Sequence, residues 1–331
     1  MADCRVILHH APSVVASSGP EAVRNAASTL LDAFAPDGLS WLIGPGDRVL
    51  LGCSEPTTLH PSVAATVHER ALEAAGSKGR VIVADPCSVL PDGEQATEVG
   101  ADLERRVTVD LDDASLFAAR DAPPIDRHHP LQRWSEHRGG THRYQLPRLF
   151  FEVDVVINLS GFRLDPFFGC AGAVTSLAAL TNATLPDQVL LSLDWEWERD
   201  DLLWRHTGDL IRAAFSGVMQ GGRVSVGTAP RRRYLGLVDA LEVIEGDGDG
   251  DRVESSILVG ATHPFAADRI LCEALGLRPS RIPLLEKSRA RATPGWPDQP
   301  TTTEWIGPRG RELETAETVE PPEQTPEPVQ G

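Results

Sequence analysis

The sequence predicts an α/β fold, in which a mostly parallel sheet is flanked by helices and followed by a disordered acidic C-terminal tail. Short apolar runs with a β-branched bias alternate along the chain with amphipathic segments of helical period. The first of these segments follow the order strand, helix, strand, helix, strand, which predicts parallel pairing through right-handed crossovers. Beyond residue 289 apolar residues become scarce, and Pro, Glu and Thr dominate.

The apolar pattern places the elements in order. We expect strands near residues 5–9, 48–52, 80–84, 153–159, 223–227 and 255–260, with a further strand over 234–240 that Asp239 closes. We expect helices over residues 20–34, 62–75, 171–180, 198–217 and 263–275. Gly19 and Pro20 mark the start of the first helix, and Gly76 marks the end of the second.

Length and charge limit the classes of protein that are expected. The chain has 331 residues, which we divide into an α/β domain over 1–288 and a tail over 289–331 that can be removed without loss of the fold. No apolar run approaches the roughly 18–20 residues of a membrane span, and the first residues lack a signal-peptide pattern. The formal net charge of −17 argues against binding to nucleic acid. We therefore expect a cytoplasmic protein whose partner is a small molecule.

The cysteines are dispersed along the chain, and no two of them have CxxC spacing. They are Cys4, Cys53, Cys87, Cys170 and Cys272. This spacing predicts no iron–sulfur cluster bound by this chain alone and leaves the identity of any cofactor or metal open. Most of these cysteines are expected to be small buried side chains, with Cys53 and Cys170 as the two to examine for chemistry.

Residues 151–182 form the stretch around which a site is expected. An apolar strand leads into a Gly-containing loop with Arg163 and Asp165, and then into a helix of small residues that ends at Asn182. Open α/β sheets bind ligands at the carboxyl ends of their strands, where such loops begin. The pattern therefore predicts a site here without naming a reaction.

A second candidate lies in residues 127–148, where four His and five Arg occur in an otherwise acidic chain. One interpretation is a loop that receives an anionic ligand, with His142 and Arg143 as its binding residues, or a metal site built from several of the histidines. The other is a solvated surface loop. The spacing of the histidines matches no metal motif.

Several separate segments, in their order, resemble the domain-of-unknown-function 362 family over roughly residues 3–285. The matching blocks are GDRVLL (46–51), VIVAD (81–85), VDVVINL (153–159) and residues 171–186, 235–250 and 260–277. Members of that family are often fused to ferredoxin-type iron–sulfur modules, and their fold is thought to be distantly related to nickel-dependent lactate racemases. The resemblance implies a fold more firmly than an activity, since no single reaction is settled for the family.

The chain departs from the family pattern at charged positions. A Lys after the second strand is here Cys53, and the loop Pro-Lys-x-Lys-Thr-His is here residues 160–165, which keep one cation, Arg163, and have Asp165 in place of His. A Lys-Asn pair after the central helix keeps only Asn182. The resemblance also places two acids, Asp239 and Asp268, where the family has Asp. An Arg can replace Lys in binding an anion but not in proton transfer.

Two functions stay open at this point. The first is an enzyme, with metal-dependent or redox-linked chemistry as options, that acts on a small anionic organic substrate. The second is a non-catalytic binding or scaffold protein that kept the fold and lost the chemistry. The candidate catalytic residues are Asp165, Asp239, Asp268 and Cys53. The candidate ligand-binding residues are Arg163, Asn182, His142 and Arg143. We expect Arg163, Asp165, Asn182, Asp239 and Asp268 to converge on one cleft at the carboxyl edge of the sheet.

Overall fold

The computed structural model describes residues 4–53, 59–84, 106–112, 141–165, 169–181, 207–208, 210–220, 223–227, 229–245, 250–287 and 302–308. Its strands are β1 (Arg5–His10), β2 (Arg48–Cys53), β3 (Arg80–Val83), β4 (Arg106–Asp112), β5 (Thr141–Pro147), β6 (Val155–Leu164), β7 (Gly217–Gln220), β8 (Arg223–Val226), β9 (Arg233–Glu245), β10 (Arg252–Ala261) and β11 (Thr302–Ile306).

The helices with defined bounds are α1 (Pro20–Phe34), α2 (Pro61–Ala75), α3 (Ala173–Thr181), α4 (Pro264–Ala274) and α5 (Pro283–Lys287). Residues 207–208 and 210–216 are also helical. Within the described part of the chain, no helix combines the length and the apolar character needed to cross a membrane.

The seven-stranded sheet confirms the predicted α/β fold. Its order is β11-β1-β10-β9-β6-β2-β3, and helices pack on both of its faces. Four of the six neighbouring pairs are parallel, and both antiparallel pairs involve β10. The unit from β1 to β3 has the predicted parallel arrangement, since two helical crossovers lead the chain through β2 to β3.

The pairing of β10 differs from the simple parallel expectation. β9 and β10 form an antiparallel hairpin, because the connection between Glu245 and Arg252 is too short for a crossover. β9 is also longer than the predicted strand, so Asp239 lies in the middle of the strand and does not close it. The register of the hairpin shifts between Glu254 and Ile257, where Ser256 has φ 57°.

A second sheet of four strands, in the order β5-β4-β8-β7, accounts for the remaining strands. The strand predicted near residues 223–227 is β8 of this sheet and does not belong to the larger one. β4 and β5 pair antiparallel over their full length, so the C-terminal part of the His/Arg-rich segment is a strand. Residues 127–140 of that segment lie outside the described residues.

The tail contains a strand that the sequence analysis missed. The expectation of disorder is wrong for residues 302–306, which form β11 and pair in parallel with β1 at the edge of the larger sheet. The guanidinium of Arg5 and the carboxylate of Glu304, 2.7 Å apart, form an ion pair across the two strands. Composition alone misses such a strand, because an edge strand with one Trp and one Ile needs few apolar residues. Residues 288–301 and 309–331 lie outside the described residues.

The larger sheet separates two apolar cores. α1 and α2 pack on one face, against side chains such as Leu51, Ile157 and Leu237, and we call this the α1/α2 face. α3, α4 and α5 pack on the other, against side chains such as Leu50 and Val156, and we call this the α3/α4 face. The β2 and β6 runs contribute to both faces because alternate residues of a strand point in opposite directions.

Proline and glycine set the ends of the helices next to the site. α2 begins at Pro61, and His60 caps it by accepting a hydrogen bond at Nδ1 from the Ser62 N–H at 3.1 Å. α2 ends at Ala75, and the next residue, Gly76, has a φ of 64°, a backbone conformation that glycine adopts without strain. These features confirm the helix start and stop expected from the sequence.

Candidate functional site

The strand order of the larger sheet reverses between β2 and β6. From β2 the chain passes through α2 to β3, which lies on one side of β2; from β6 it passes through α3 and returns to the sheet at β9, on the other side of β6. α2 and α3 lie on opposite faces. In open parallel sheets such a reversal leaves a crevice between the carboxyl ends of the two strands, and ligands bind there.

We define the switch-point crevice by the end of β2 at Cys53, residues 160–164 of β6, and the first residues of α2 and α3. The last residue pair between β2 and β6 is Cys53 with Leu159. Residues 160–164 therefore extend beyond β2, and we call them the β6 overhang. On its other side the overhang pairs with β9, where Gly161 lies opposite Asp239 but Arg163 lies opposite Ile244. This irregular pairing bends β9 next to the crevice, as bulges near sites commonly do.

Arg163 and Asp165 form an ion pair at the end of the overhang. Arg163 Nη2 lies 3.1 Å from Asp165 Oδ2; the Arg side chain is 26% exposed and the Asp side chain 5%. The backbones of Arg163 and Ala171 exchange two hydrogen bonds of 3.0 and 2.9 Å, which place Ala171 alongside the end of the strand. Sequence analysis predicted both residues in this place, and the structure brings them together.

Asp268 caps the N-terminus of α3 from the neighbouring helix. Its carboxylate accepts hydrogen bonds from the Ala173 N–H at 2.7 Å and the Val174 N–H at 2.9 Å. Burial raises the pKa of Asp268 to about 7, and the two N–H donors offset only part of that rise. A Cβ on Gly172 would collide with this carboxylate. Asp268 therefore fixes the helix that borders the crevice.

Two of the dispersed cysteines meet beside this cap. Cys170 and Cys272 are both fully buried in the core of the α3/α4 face. Their thiols form a hydrogen bond, which, with burial, raises the pKa of Cys170 well above its ordinary value. A thiol held in its neutral form is a poor nucleophile, so Cys170 is a packing residue here. Among the described residues, no group of three His, Cys, Asp or Glu side chains has the arrangement of a metal site.

Asp239 likewise holds the start of a helix, α2, on the α1/α2 face. One carboxylate oxygen accepts a hydrogen bond of 2.8 Å from the N–H of His60, the cap residue of α2, and the other accepts one of 2.9 Å from the N–H of Leu241. Asp239 thereby ties the start of α2 to the bend in β9. Burial raises its pKa to about 6, against the opposing effect of the two hydrogen bonds.

These positions correct the expectation of a single cleft that gathers all the acids. Asp268 contacts the α3/α4 face, whereas Asp239 contacts the helix on the α1/α2 face. Both lie at the carboxyl edge of the sheet, but the sheet itself separates them. Both carboxylates are almost completely buried and bind backbone N–H groups, which gives each of them a structural role; their predicted catalytic role stays a prediction. Asn182 lies outside the described residues.

The remaining predicted residues lie elsewhere. Cys53 ends β2 at the crevice, but its side chain is fully buried in the core of the α1/α2 face, so it packs in that core and is not exposed as a nucleophile would be. His142 and Arg143 lie on β5 in the second sheet, opposite Leu111 and Asp110 of β4. Their side chains lie outside what the structure describes.

A buried polar network beneath α3 was missed by sequence reasoning. Asn158 donates to the carbonyl of Ala173 at 2.8 Å and to the hydroxyl of Tyr234 at 3.2 Å, and it accepts from Ser176 Oγ at 2.8 Å. The hydroxyl of Ser160, also buried, lies on the same strand. A signal for these residues exists in the sequence: two polar residues two positions apart, on one face of an otherwise apolar strand.

Comparisons with known proteins add the following. No family model matches the chain, and no curated protein matches it. A crystal structure of a protein from Thermotoga maritima, solved in a structural genomics programme, is similar at 12% sequence identity and a TM-score of 0.44. The similarity covers 77% of this chain and 58% of that chain, so this chain spans less than two thirds of that protein's length.

Proposed function

We propose that this protein binds a small organic anion in the switch-point crevice and that Arg163 is the cation that receives it. The supporting observation is the position of Arg163, on the β6 overhang at the point where the strand order reverses. In a chain of net charge −17 the long-range field repels anions, so a site for an anion requires a local cation.

The ion pair with Asp165 is compatible with this role. A guanidinium carries five N–H donors, and one of its nitrogens, Nη2, lies 3.1 Å from Asp165 Oδ2. A buried carboxylate at this distance fixes the orientation of a long, flexible side chain and so lowers the entropy lost when a ligand binds. Asp165 therefore positions Arg163 in the proposed site.

An enzymatic role is the second candidate, and it has one observation in its favour. A ligand bound by Arg163 would lie next to Asp165, the one predicted catalytic acid whose described partner is a side chain at the crevice and not a helix N-terminus. Asp268 caps α3 and Asp239 binds the cap residue of α2, which favours binding without catalysis by them. The resemblance to the domain-of-unknown-function 362 family stays a prediction and is consistent with either role.

Thermal unfolding in the presence of organic anions tests the proposal. Acetate, succinate, malate and inorganic phosphate are added to the protein, with sodium chloride at matched ionic strength as the reference. A ligand at about 100 times its Kd stabilises the folded state by about 2.7 kcal/mol, which raises Tm by several degrees. We expect at least one of the organic anions to raise Tm in this way.

The variants Arg163→Gln and Arg233→Gln locate the binding site. Arg233 also pairs with an Asp, Asp47, at 2.7 Å, but it lies at the start of β9 and therefore at the opposite edge of the sheet. Arg163→Gln should abolish the anion-dependent rise in Tm, and Arg233→Gln should retain it. A rise that persists in Arg163→Gln, or that chloride reproduces in the wild type, contradicts the proposal.

A further inference from the structure

His60 lies at the start of α2, where two hydrogen bonds fix both its backbone and its imidazole ring. Its N–H donates to Asp239 Oδ2 at 2.8 Å, and its Nδ1 accepts from the Ser62 N–H at 3.1 Å. The residue is half-buried, so solvent reaches part of it, whereas Asp239 beneath it is almost completely buried. A ring that the fold already holds in place loses little entropy when it binds a ligand.

The capping bond also determines the tautomer of His60. A ring nitrogen that accepts a hydrogen bond carries no proton, so in the neutral ring the proton is on Nε2. Burial lowers the pKa of His60, which favours this neutral form at pH 7. The cap uses Nδ1, and no residue in the described part of the chain accepts a hydrogen bond from Nε2. His60 therefore carries one N–H donor that the fold does not use.

Arg163 lies on the same face of the larger sheet as His60. Phe162 packs in the core of the α3/α4 face and Leu159 in the core of the α1/α2 face. Because side chains alternate along a strand, Arg163 belongs to the α1/α2 face. α2, which begins directly after His60, packs on that face as well. The Arg163 side chain is partly exposed, so neither residue is sealed in a core.

Asp239 connects the two residues across the sheet. It lies opposite Gly161, which precedes Arg163 on the same face of the β6 overhang. Neighbouring strands lie about 4.8 Å apart, so His60, which bonds the Asp239 carboxylate, is one strand spacing and one side chain away from the overhang. Gly161 itself contributes no side chain to this face. His60 and Arg163 thus border the switch-point crevice from the α2 side and from the β6 side.

We propose that His60 is a second ligand-binding residue of the switch-point crevice, whose Nε2–H donates a hydrogen bond to an oxygen of the organic anion that Arg163 receives. This inference rests on the proposed function and adds a neutral donor to its single cation. Hydrogen bonds to an ionised acceptor are stronger than those between neutral groups, so this donor contributes to affinity without adding charge to the site. Asp239, which fixes the backbone of His60, is then a positioning residue.

The variant His60→Asn separates the cap from the proposed contact. Asn is among the favoured N-cap residues and Ala is not, so Asn replaces the capping acceptor and lacks the imidazole Nε2. In the absence of ligand, His60→Asn should melt close to the wild type and His60→Ala several degrees lower. His9→Asn is the matched control. His9 is also half-buried and bonds a backbone carbonyl through Nδ1, but it lies on β1, three strands away from β6.

Calorimetric titration of malate and succinate into these proteins measures the contribution of His60. The wild type and His9→Asn should bind each anion equally well, and His60→Asn should bind at least about tenfold more weakly. An affinity of His60→Asn equal to that of the wild type overturns the role of His60, and anion binding at the crevice stands if Arg163→Gln still abolishes it. If the wild type binds neither anion, the proposed function fails first, and this inference fails with it.

The ring nitrogens of His60 in the wild type give a second readout, which a purely structural residue would not change. Long-range ¹H–¹⁵N spectra should show an unprotonated Nδ1 and a protonated Nε2 in the ligand-free protein. Saturating malate should shift the Nε2 resonance and leave that of Nδ1 in place, and chloride at matched ionic strength should shift neither. An Nε2 resonance that bound malate does not move overturns the inference, whatever the variants show.

Discussion

At the scale of single residues, the molecule uses buried carboxylates to hold the two helices that border the crevice. Asp239 binds the N–H of the residue that caps α2, and Asp268 binds the first two N–H groups of α3. Helix N-termini carry partial positive charge and unpaired N–H groups, which an internal carboxylate satisfies. The two acids thereby hold the starts of α2 and α3 on opposite faces of the sheet.

Replacing Asp268 by Ala should lower the free energy of unfolding by about 2–4 kcal/mol, because two buried N–H donors lose their acceptor. Urea denaturation measures the change. Asp32→Ala is the matched control: Asp32 forms an exposed pair with Arg70 at 3.5 Å, and its loss should change stability by less than about 0.5 kcal/mol. Equal effects of the two substitutions would show that Asp268 does not hold α3.

The same carboxylates predict how stability depends on pH. Burial raises the pKa of Asp239 to about 6 and that of Asp268 to about 7, from 3.8. Between about pH 4 and 7 the folded protein therefore binds more protons at these residues than the unfolded chain does, so their contribution to stability is complete below about pH 4 and declines as pH rises toward 7. The stabilisation is lost with rising pH, not with falling pH.

Comparison of the wild type with Asp268→Asn isolates this contribution. Burial lowers the pKa of His9, His60 and His68, which gives the opposite slope in both proteins and cancels in the difference. Urea unfolding at pH 5 and pH 7.5 should show that the stability of the wild type, relative to Asp268→Asn, is greater at pH 5. A difference that does not change with pH would mean that Asp268 is ionised throughout.

At the scale of elements, β11 shows that amino-acid composition alone can miss a strand. The strand adds five residue pairs, one for each position of β1 from Arg5 to His9, and it places Trp305 and Ile306 against opposite cores of the sheet. Its contribution comes from backbone pairing and from two side chains. A prediction of disorder from low apolar content therefore misses a short edge strand such as β11.

Truncation after residue 301 should therefore destabilise the protein, contrary to the expectation from the sequence that the tail is dispensable. Removing β11 leaves β1 as an unpaired edge, which also favours aggregation. We expect Tm to fall by several degrees and light scattering to rise on heating. Truncation after Pro308 keeps β11 and serves as the control, with Tm unchanged; the same Tm for both truncations would contradict a stabilising role for the strand.

The elements also show which parts of the sheet the sequence could predict. Strands and helices from β1 to β3 follow from periodicity, Pro20 and Gly76, because local patterns determine them. Local patterns do not predict that β10 lies antiparallel between β1 and β9. That position depends on pairing between strands that are far apart in the sequence. The overhang of β6 is missed for a related reason: Ser160 and Gly161 read as the start of a loop, but pairing with β9 extends the strand.

At the scale of the whole molecule, the sequence predicted the positions of some candidate residues and not of others. Arg163 and Asp165 are two residues apart after a central strand, so sequence alone places them together at the carboxyl edge of a parallel sheet. The face of the sheet on which Asp239 or Asp268 lies depends on the position of β9 in the sheet and on the face against which α4 packs. Local sequence patterns do not predict either of these.

Native mass spectrometry of the wild type, Arg163→Gln and Arg233→Gln, each equilibrated with malate and then transferred into volatile buffer, tests the central claim most directly. The account predicts one bound anion per chain in the wild type and in Arg233→Gln, and none in Arg163→Gln, because Arg163, unlike Arg233, lies at the switch-point crevice. Equal occupancy in all three proteins, or a loss confined to Arg233→Gln, would contradict binding at the crevice.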